Sequence, residues 1–222
     1  MTVLLLLVTF TIFVSIDYIR KERQVPNQLP AQAAQPAQPR LIPSYVSGFA
    51  LPENLRYHPG HTWALQESPS LVRVGLDDFG AHLAGKLEAV RLPKRGQWIR
   101  QGQKFAAILK DGSTAELVSP IEGEVTKVND ALLRDSSAVS DDPYGNGWLI
   151  SVLSPDATTS FRNLLGGDLA RRWMMEAANR LQGKLPALAG AVAQDGGLPI
   201  QDLTSELPGQ KWSEIASDFF LT

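Results

Sequence analysis

The 222-residue chain has no cysteine and only three histidines. Without Cys there are no disulfides, no thiolate-bound zinc, no iron–sulfur cluster and no thiol nucleophile. Three His leave little for metal binding or acid–base work. An excess of one charge is also missing: 21 Lys and Arg stand against 23 Asp and Glu, a formal net charge of −2. A general nucleic-acid binder would carry a basic face, so that class is set aside. No Ser, His and Asp set with a recognisable elbow motif is present, and no catalytic site is read from the chain. Internal repeats are lacking as well. At roughly 100–200 residues per domain, the length fits one domain with appendages.

What is present is unevenly spread. From Val3 to Ile19 the sequence is almost wholly apolar and leads into Arg20, Lys21 and Arg23. Seventeen residues at about 1.5 Å each span about 26 Å, at the short end of what crosses a bilayer core. No Lys or Arg precedes the run and no small-residue cleavage motif follows it, which favours an uncleaved anchor over a signal peptide. Residues 1–20 therefore read as a transmembrane anchor that engages the membrane through residues 3–19. Basic residues on the C-terminal flank alone place the remainder on the cytoplasmic side. Residues 21–49 read as a linker. Within 24–43, five Pro, five Gln and four Ala fill 14 of 20 positions. Such composition makes a semi-extended spacer with little to bury.

From Tyr57 onward, short apolar runs alternate with turn signals. The runs are TWALQE, SLVRVGL, LEAVRLP, QKFAAILK, TAELVSP, GEVTKVN and GWLISVL. Strands at this spacing predict a β-sandwich or barrel. Asp111-Gly112 between two of them predicts a two-residue hairpin turn, since both central positions of a type I′ turn need positive φ. A short helix is expected over 77–83.

An ordered series of motifs runs through this region. It starts with Leu51-Pro52-Glu53-Asn54-Leu55-Arg56-Tyr57, His61, Trp63 and Val74-Gly75-Leu76. It continues with Leu92-Pro93, Gly96, Gly102, Phe105, Ser119-Pro120, Gly123-Glu124-Val125 and Val128-Asn129. It ends on Asp142-Pro143-Tyr144-Gly145, Gly147 and Trp148-Leu149-Ile150. In this series the chain resembles the H protein of the glycine cleavage system, within the biotinyl/lipoyl attachment superfamily. The resemblance implies a mainly β fold over residues 50–181, a flattened two-sheet barrel sandwich with C-terminal helices, here preceded by the transmembrane helix. It also implies a carrier role: a lysine in the hairpin turn is amidated by lipoate, and the arm ferries an aminomethyl group between two enzymes.

The hairpin departs from that pattern. Aligned without gaps from Phe105 and from Ser119-Pro120, the position of the family's lipoyl lysine falls on Gly112, which has no side chain to modify. The acidic residue ahead of that lysine becomes Leu109. Lys110 is the nearest lysine, readable either as a shifted acceptor for lipoate or as a solvated charge beside a tight turn.

Other motifs yield less. Gly80 to Leu87 fits the start of a phosphate-binding loop, but Leu87 replaces the Ser or Thr that would hold magnesium, and an extended segment follows. His58-Pro59-Gly60-His61 could suggest a metal, yet zinc normally takes three or four protein ligands. Both histidines read better as surface-turn and strand-start residues. Asp135, Asp141 and Asp142, with Tyr144 and Trp148, read as a solvated loop or protein-docking rim.

Residues 168–182 have helical periodicity through Leu169, Trp173, Met174, Ala177 and Leu181, a stripe expected to pack on the sandwich. Residues 182–222 read as a helical extension, with helices over Leu185–Gln194 and Trp212–Phe220. The apolar end either caps the core or serves as a docking segment.

The expected function is a non-catalytic, membrane-tethered scaffold or adaptor that lacks lipoate and engages an unidentified protein partner and no nucleic acid. An active lipoyl or biotinyl carrier using Lys110 is the alternative. An envelope adaptor subunit of a transporter is the third, and would need the opposite orientation.

Overall fold

Alternation of period two organises the middle of the chain: in Leu71–Leu76 the side chains of Val72, Val74 and Leu76 are buried while Leu71 and Arg73 are partly exposed. A computed structural model describes residues 40–184 and 212–221. The anchor reading (1–20), the linker up to residue 39 and the expected helix over Leu185–Gln194 lie outside the described residues. Among the described residues, no helix is long and apolar enough to cross a membrane.

The described strands are β1 (Tyr45–Val46), β2 (Phe49–Ala50), β3 (Arg56–His58), β4 (Thr62–Gln66), β5 (Leu71–Leu76), β6 (Ala89–Arg91), β7 (Trp98–Ile99), β8 (Lys104–Lys110), β9 (Ser113–Val118), β10 (Gly123–Val128) and β11 (Ile150–Leu153). The helices are α1 (Asp78–Ala84), α2 (Ala138–Asp141), α3 (Ala157–Arg162), α4 (Gly167–Lys184) and α5 (Trp212–Phe220). A six-stranded antiparallel sheet has the order β3-β4-β5-β11-β10-β7, and a three-stranded sheet the order β6-β8-β9. Their buried faces meet in one core that includes Val72, Val74, Ile99, Ile108, Leu117 and Val152. Burying each such side chain contributes about 1.5–3 kcal/mol. The fold is therefore mainly β, as expected.

The folded unit begins at Leu41, ahead of the boundary at residue 50. Phe49 is fully buried against Phe79, with ring centroids 5.0 Å apart, so the β1–β2 hairpin belongs to the core. Asp78 accepts from Ala50 N–H (2.7 Å), and the Tyr144 hydroxyl donates to Ala50 O (2.7 Å).

Helix α1 starts where Asp77, in extended conformation, accepts from Gly80 N–H at 2.7 Å. It ends at Gly85, whose φ of +59° suits glycine. Helix α4 covers the core through Ala170, Met174, Ala177, Ala178 and Leu181. Leu169, assigned by its spacing to the buried stripe, is instead 52% exposed. The stripe is centred on 170 and 174, and a residue one position back lies about 100° away around the helix. Tyr57 and Leu165 exchange backbone hydrogen bonds of 2.9 and 2.8 Å, tying the outer edge of β3 to the segment before α4.

Candidate functional site: the hairpin tip and the helix that covers it

Strands β8 and β9 close through Lys110 paired with Ser113, leaving Asp111 and Gly112 as the two turn residues. Their φ values are +50° and +69°, as a type I′ turn requires. The expected hairpin is present. Gly112 is exposed, and a Cβ there would meet nothing within 4 Å. The tip is open and carries no side chain that could be acylated at position 112.

Lys110 does not behave as a solvated charge. It is only 5% exposed, which corrects that expectation. The cause is parity. Residues directly opposed across an antiparallel ladder share a face. Lys110 thus lies with Ala106 and Ile108, and with Ala115 and Leu117 opposite, on the face turned to the core. Helix α5 completes the cover. The Lys110 ammonium sits 5.5 Å from the centroid of the Trp212 ring, within cation–π range. Trp212, Ile215, Ala216, Phe219 and Phe220 are all buried, with α5 packed chiefly on β9 and also on α1. The apolar end of the chain therefore caps the core. Lys184 at the end of α4 pairs with Asp218, and the Arg180 guanidinium lies 5.2 Å from the Phe219 ring centroid.

Beneath the far end of α5 lies a buried His–Asp pair. His61 was expected at the surface, but it is fully buried and adopts a φ of +59°. Its Nδ1 is 3.0 and 3.2 Å from the two carboxylate oxygens of Asp77. Its ring stacks on Phe79 (4.4 Å) and lies 4.7 Å from Trp173, with Phe219 at 6.1 Å. The Nε2 atom has no hydrogen-bond partner among the described residues. His58 is turned to another task, since its Nδ1 accepts from Gly60 N–H at 3.0 Å. Burial, and then the charge of His61, push the His58 imidazole below its ordinary value. The two histidines thus share no ligand site. Among the described residues no group of three or more His, Asp and Glu is placed to hold a metal.

A second His–Asp pair sits on α1. His82 Nδ1 is 2.7 Å from Asp78 O and 3.3 Å from Asp78 Oδ1. Burial alone would lower the His82 imidazole, but the hydrogen bonds and charge of Asp78, with Asp77 behind it, hold it above its ordinary 6.5. A base whose folded value is raised stabilises the fold below its unfolded value, and that gain fades as pH climbs through the folded value. His58, shifted the other way, opposes this on the acid side. His82→Gln is therefore expected to cost about 1 kcal/mol near pH 5.5. The difference from the unchanged protein should shrink toward pH 8.5, as read from urea midpoints at each pH. A penalty that does not vary with pH would contradict the assignment.

The remaining motifs take structural roles. Gly80 lies inside α1 and Gly85 ends it, so Lys86 follows a helix rather than opening one, as the phosphate-loop chemistry would need. Asp142 shapes the turn after α2, accepting from Gly145 N–H (3.1 Å) and Asn146 N–H (2.7 Å). Tyr144 accepts from Asp78 N–H at 3.1 Å, and burial drives its phenol pKa far up. These two are thus structural rather than a solvated rim. Asp135 is held below the usual carboxylate range by the backbone N–H and hydroxyl of Ser137. A surface cleft of about 490 Å³ between α1 and α2 is lined in part by His82, Lys86, Leu87, Asp135, Ser140 and Asp141.

Residues 55–176 match the family described as glycine cleavage H-protein. The glycine cleavage system H protein of Anaeromyxobacter sp. (strain K) is 35% identical over 106 residues, 48% of this chain and 82% of that protein. The one from Myxococcus xanthus (strain DK1622) is 37% identical over 106 residues, 48% of this chain and 81% of that protein. A probable H protein of Aeropyrum pernix is 32% identical over 119 residues, 53% of this chain and 82% of that protein. A crystal structure of a glycine cleavage system H protein from Mycobacterium marinum covers 57% of this chain and 98% of that one, at 26% identity and a TM-score of 0.49. Helix α5 lies beyond the residues that match the family.

Proposed function

The chain belongs to the glycine cleavage H-protein family, and we propose that it is a member that has given up lipoyl carriage and serves as a scaffold or adaptor. The carrying observation is Gly112, an open turn position with no side chain where the family's modified lysine falls. Fold alone does not confer function, and the one residue the carrier chemistry cannot do without is missing. A rigid β-module that keeps its recognition surface remains. The apolar run at residues 3–19 motivates a single membrane anchor, and Arg20, Lys21 and Arg23 motivate a cytoplasmic module. Tethering would raise the module's effective concentration beside membrane-bound protein partners.

A second reading keeps the family's chemistry and moves the acceptor to Lys110. It is favoured by the family framework around the hairpin and opposed by the burial of Lys110 under Trp212. Intact mass separates the two. The full chain, expressed with lipoate and a lipoate ligase, is expected to have the mass of the bare polypeptide. A lipoyl adduct on the 105–118 segment that vanishes in Lys110→Arg would overturn the scaffold reading and establish the carrier.

A further inference from the structure

Helix α5 is built as a cover over a surface that the sandwich already possesses. Its apolar residues face β9 and α1, and its N-terminal Trp212 closes over Lys110. The residues matching the family end before it, so α5 is an addition to the part of the chain that the family shares. Two observations mark its seat as imperfect. Both Trp212 Nε1 and His61 Nε2 are buried without a hydrogen-bond partner among the described residues. A buried polar group left unpaired loses its hydration and gains nothing in return, so the closed position is penalised at each end of the helix. The polar tie is also weak. Lys184 and Asp218 are each nearly half exposed, and exposed pairs contribute little.

We propose that α5 is a removable strap that closes over the inner face of the β8–β9 hairpin and keeps Lys110 out of solvent. Lifting it restores water to Trp212 Nε1, removes Phe219 and Phe220 from beside the His61 ring, and uncovers an apolar surface that ends at one primary amine. That amine becomes accessible to acylating chemistry only in the open state. Local opening of a terminal helix on a folded core is the ordinary form of such a device. The inference stands whether or not Lys110 is ever modified in the cell, so its failure and that of the scaffold reading are separable.

The test uses the full chain and a water-soluble N-hydroxysuccinimide acetate ester, with labelling rates read peptide by peptide by mass spectrometry. Attack of the neutral Lys110 amine forms an amide, breaks the ester C–O bond, and releases N-hydroxysuccinimide, which carries away the proton the amine loses. Lys104, 52% exposed at its side chain, is the internal reference. Lys110 is expected to label at least about tenfold more slowly than Lys104, because only the opened fraction reacts. In Ile215→Asp/Phe219→Asp, Lys110 should approach the rate of Lys104. Amide exchange in β4, β5 and β11 should stay as slow as in the unchanged chain. Trp212→Ala in the full chain should move the Lys110 rate in the same direction. Equal rates in the unchanged chain would overturn the proposal. So would a Lys110 that stays unreactive in both variants, or one that is exposed only together with loss of protection across the six-stranded sheet. The last result would make α5 an integral part of the core.

Discussion

Gly112→Lys is expected to take up one lipoyl group when the chain is expressed with lipoate and a lipoate ligase, where the unchanged chain takes up none. The turn offers room, since a Cβ at 112 meets nothing within 4 Å and the position is exposed. A φ of +69° strains a lysine there by roughly 1–2 kcal/mol, a local cost that leaves the core untouched. The new side chain would leave the tip, whereas that of Lys110 turns inward with Ala106 and Ile108. The resemblance sets an acidic residue of the family at Leu109, so Leu109→Glu with Gly112→Lys should load more fully than the single change. Intact mass and mapping of the 105–118 segment read the outcome. Failure of both variants to load, in a folded chain, would mean that a lysine at position 112 is not enough to make this hairpin a carrier's.

Trp63→Ala should cost about 3–5 kcal/mol, the largest loss expected of a single change in the core. The ring is fully buried, and its Nε1 donates to Leu76 O (2.9 Å) and Pro143 O (3.2 Å). Its loss leaves a cavity and strips both carbonyls of that donor. Gly75 is paired with Trp63 across β4 and β5, and a Cβ there would come within 2.6 Å of two ring carbons. The ring has nowhere to move, so Gly75→Ala should cost about 1–3 kcal/mol by overpacking. The two changes should not add. With the ring gone, the alanine methyl occupies vacated space, and the double variant should be more stable than the sum by over about 0.5 kcal/mol. Urea midpoints of the four proteins close the cycle. Additivity would mean that the backbone at Gly75, not the indole, sets the limit.

The strand pattern was readable because turn residues punctuate short runs of period two. The Asp111-Gly112 turn was readable because few residues besides glycine and Asp or Asn accept positive φ there. The parity that buries Lys110 was also present in FAAILK, where positions 106, 108 and 110 must share a face. What was missing was the cover, because Trp212 comes from the far end of the chain and no local pattern announces it. The burial of His61 escapes the local pattern for a related reason. Its neighbours Pro59 and Gly60 signal a turn, while the partner that draws the imidazole inward is Asp77, on the other side of β5. Spacing alone puts Leu169 in the stripe, but it also fits a register one residue on, which the packing of Ala170 and Met174 selects.

The edges of the six-stranded sheet bear on how copies behave when crowded. An exposed strand edge is a row of unpaired donors and acceptors, ready to pair with a neighbour's. Here one edge strand, β7, has only two residues, and the other, β3, has three and exchanges its central pair of hydrogen bonds with Leu165. Neither presents the long, flat template that side-by-side pairing needs. Crowded copies would therefore find no ready strand template at either edge of this sheet, and association through it would have to come from side-chain surfaces instead.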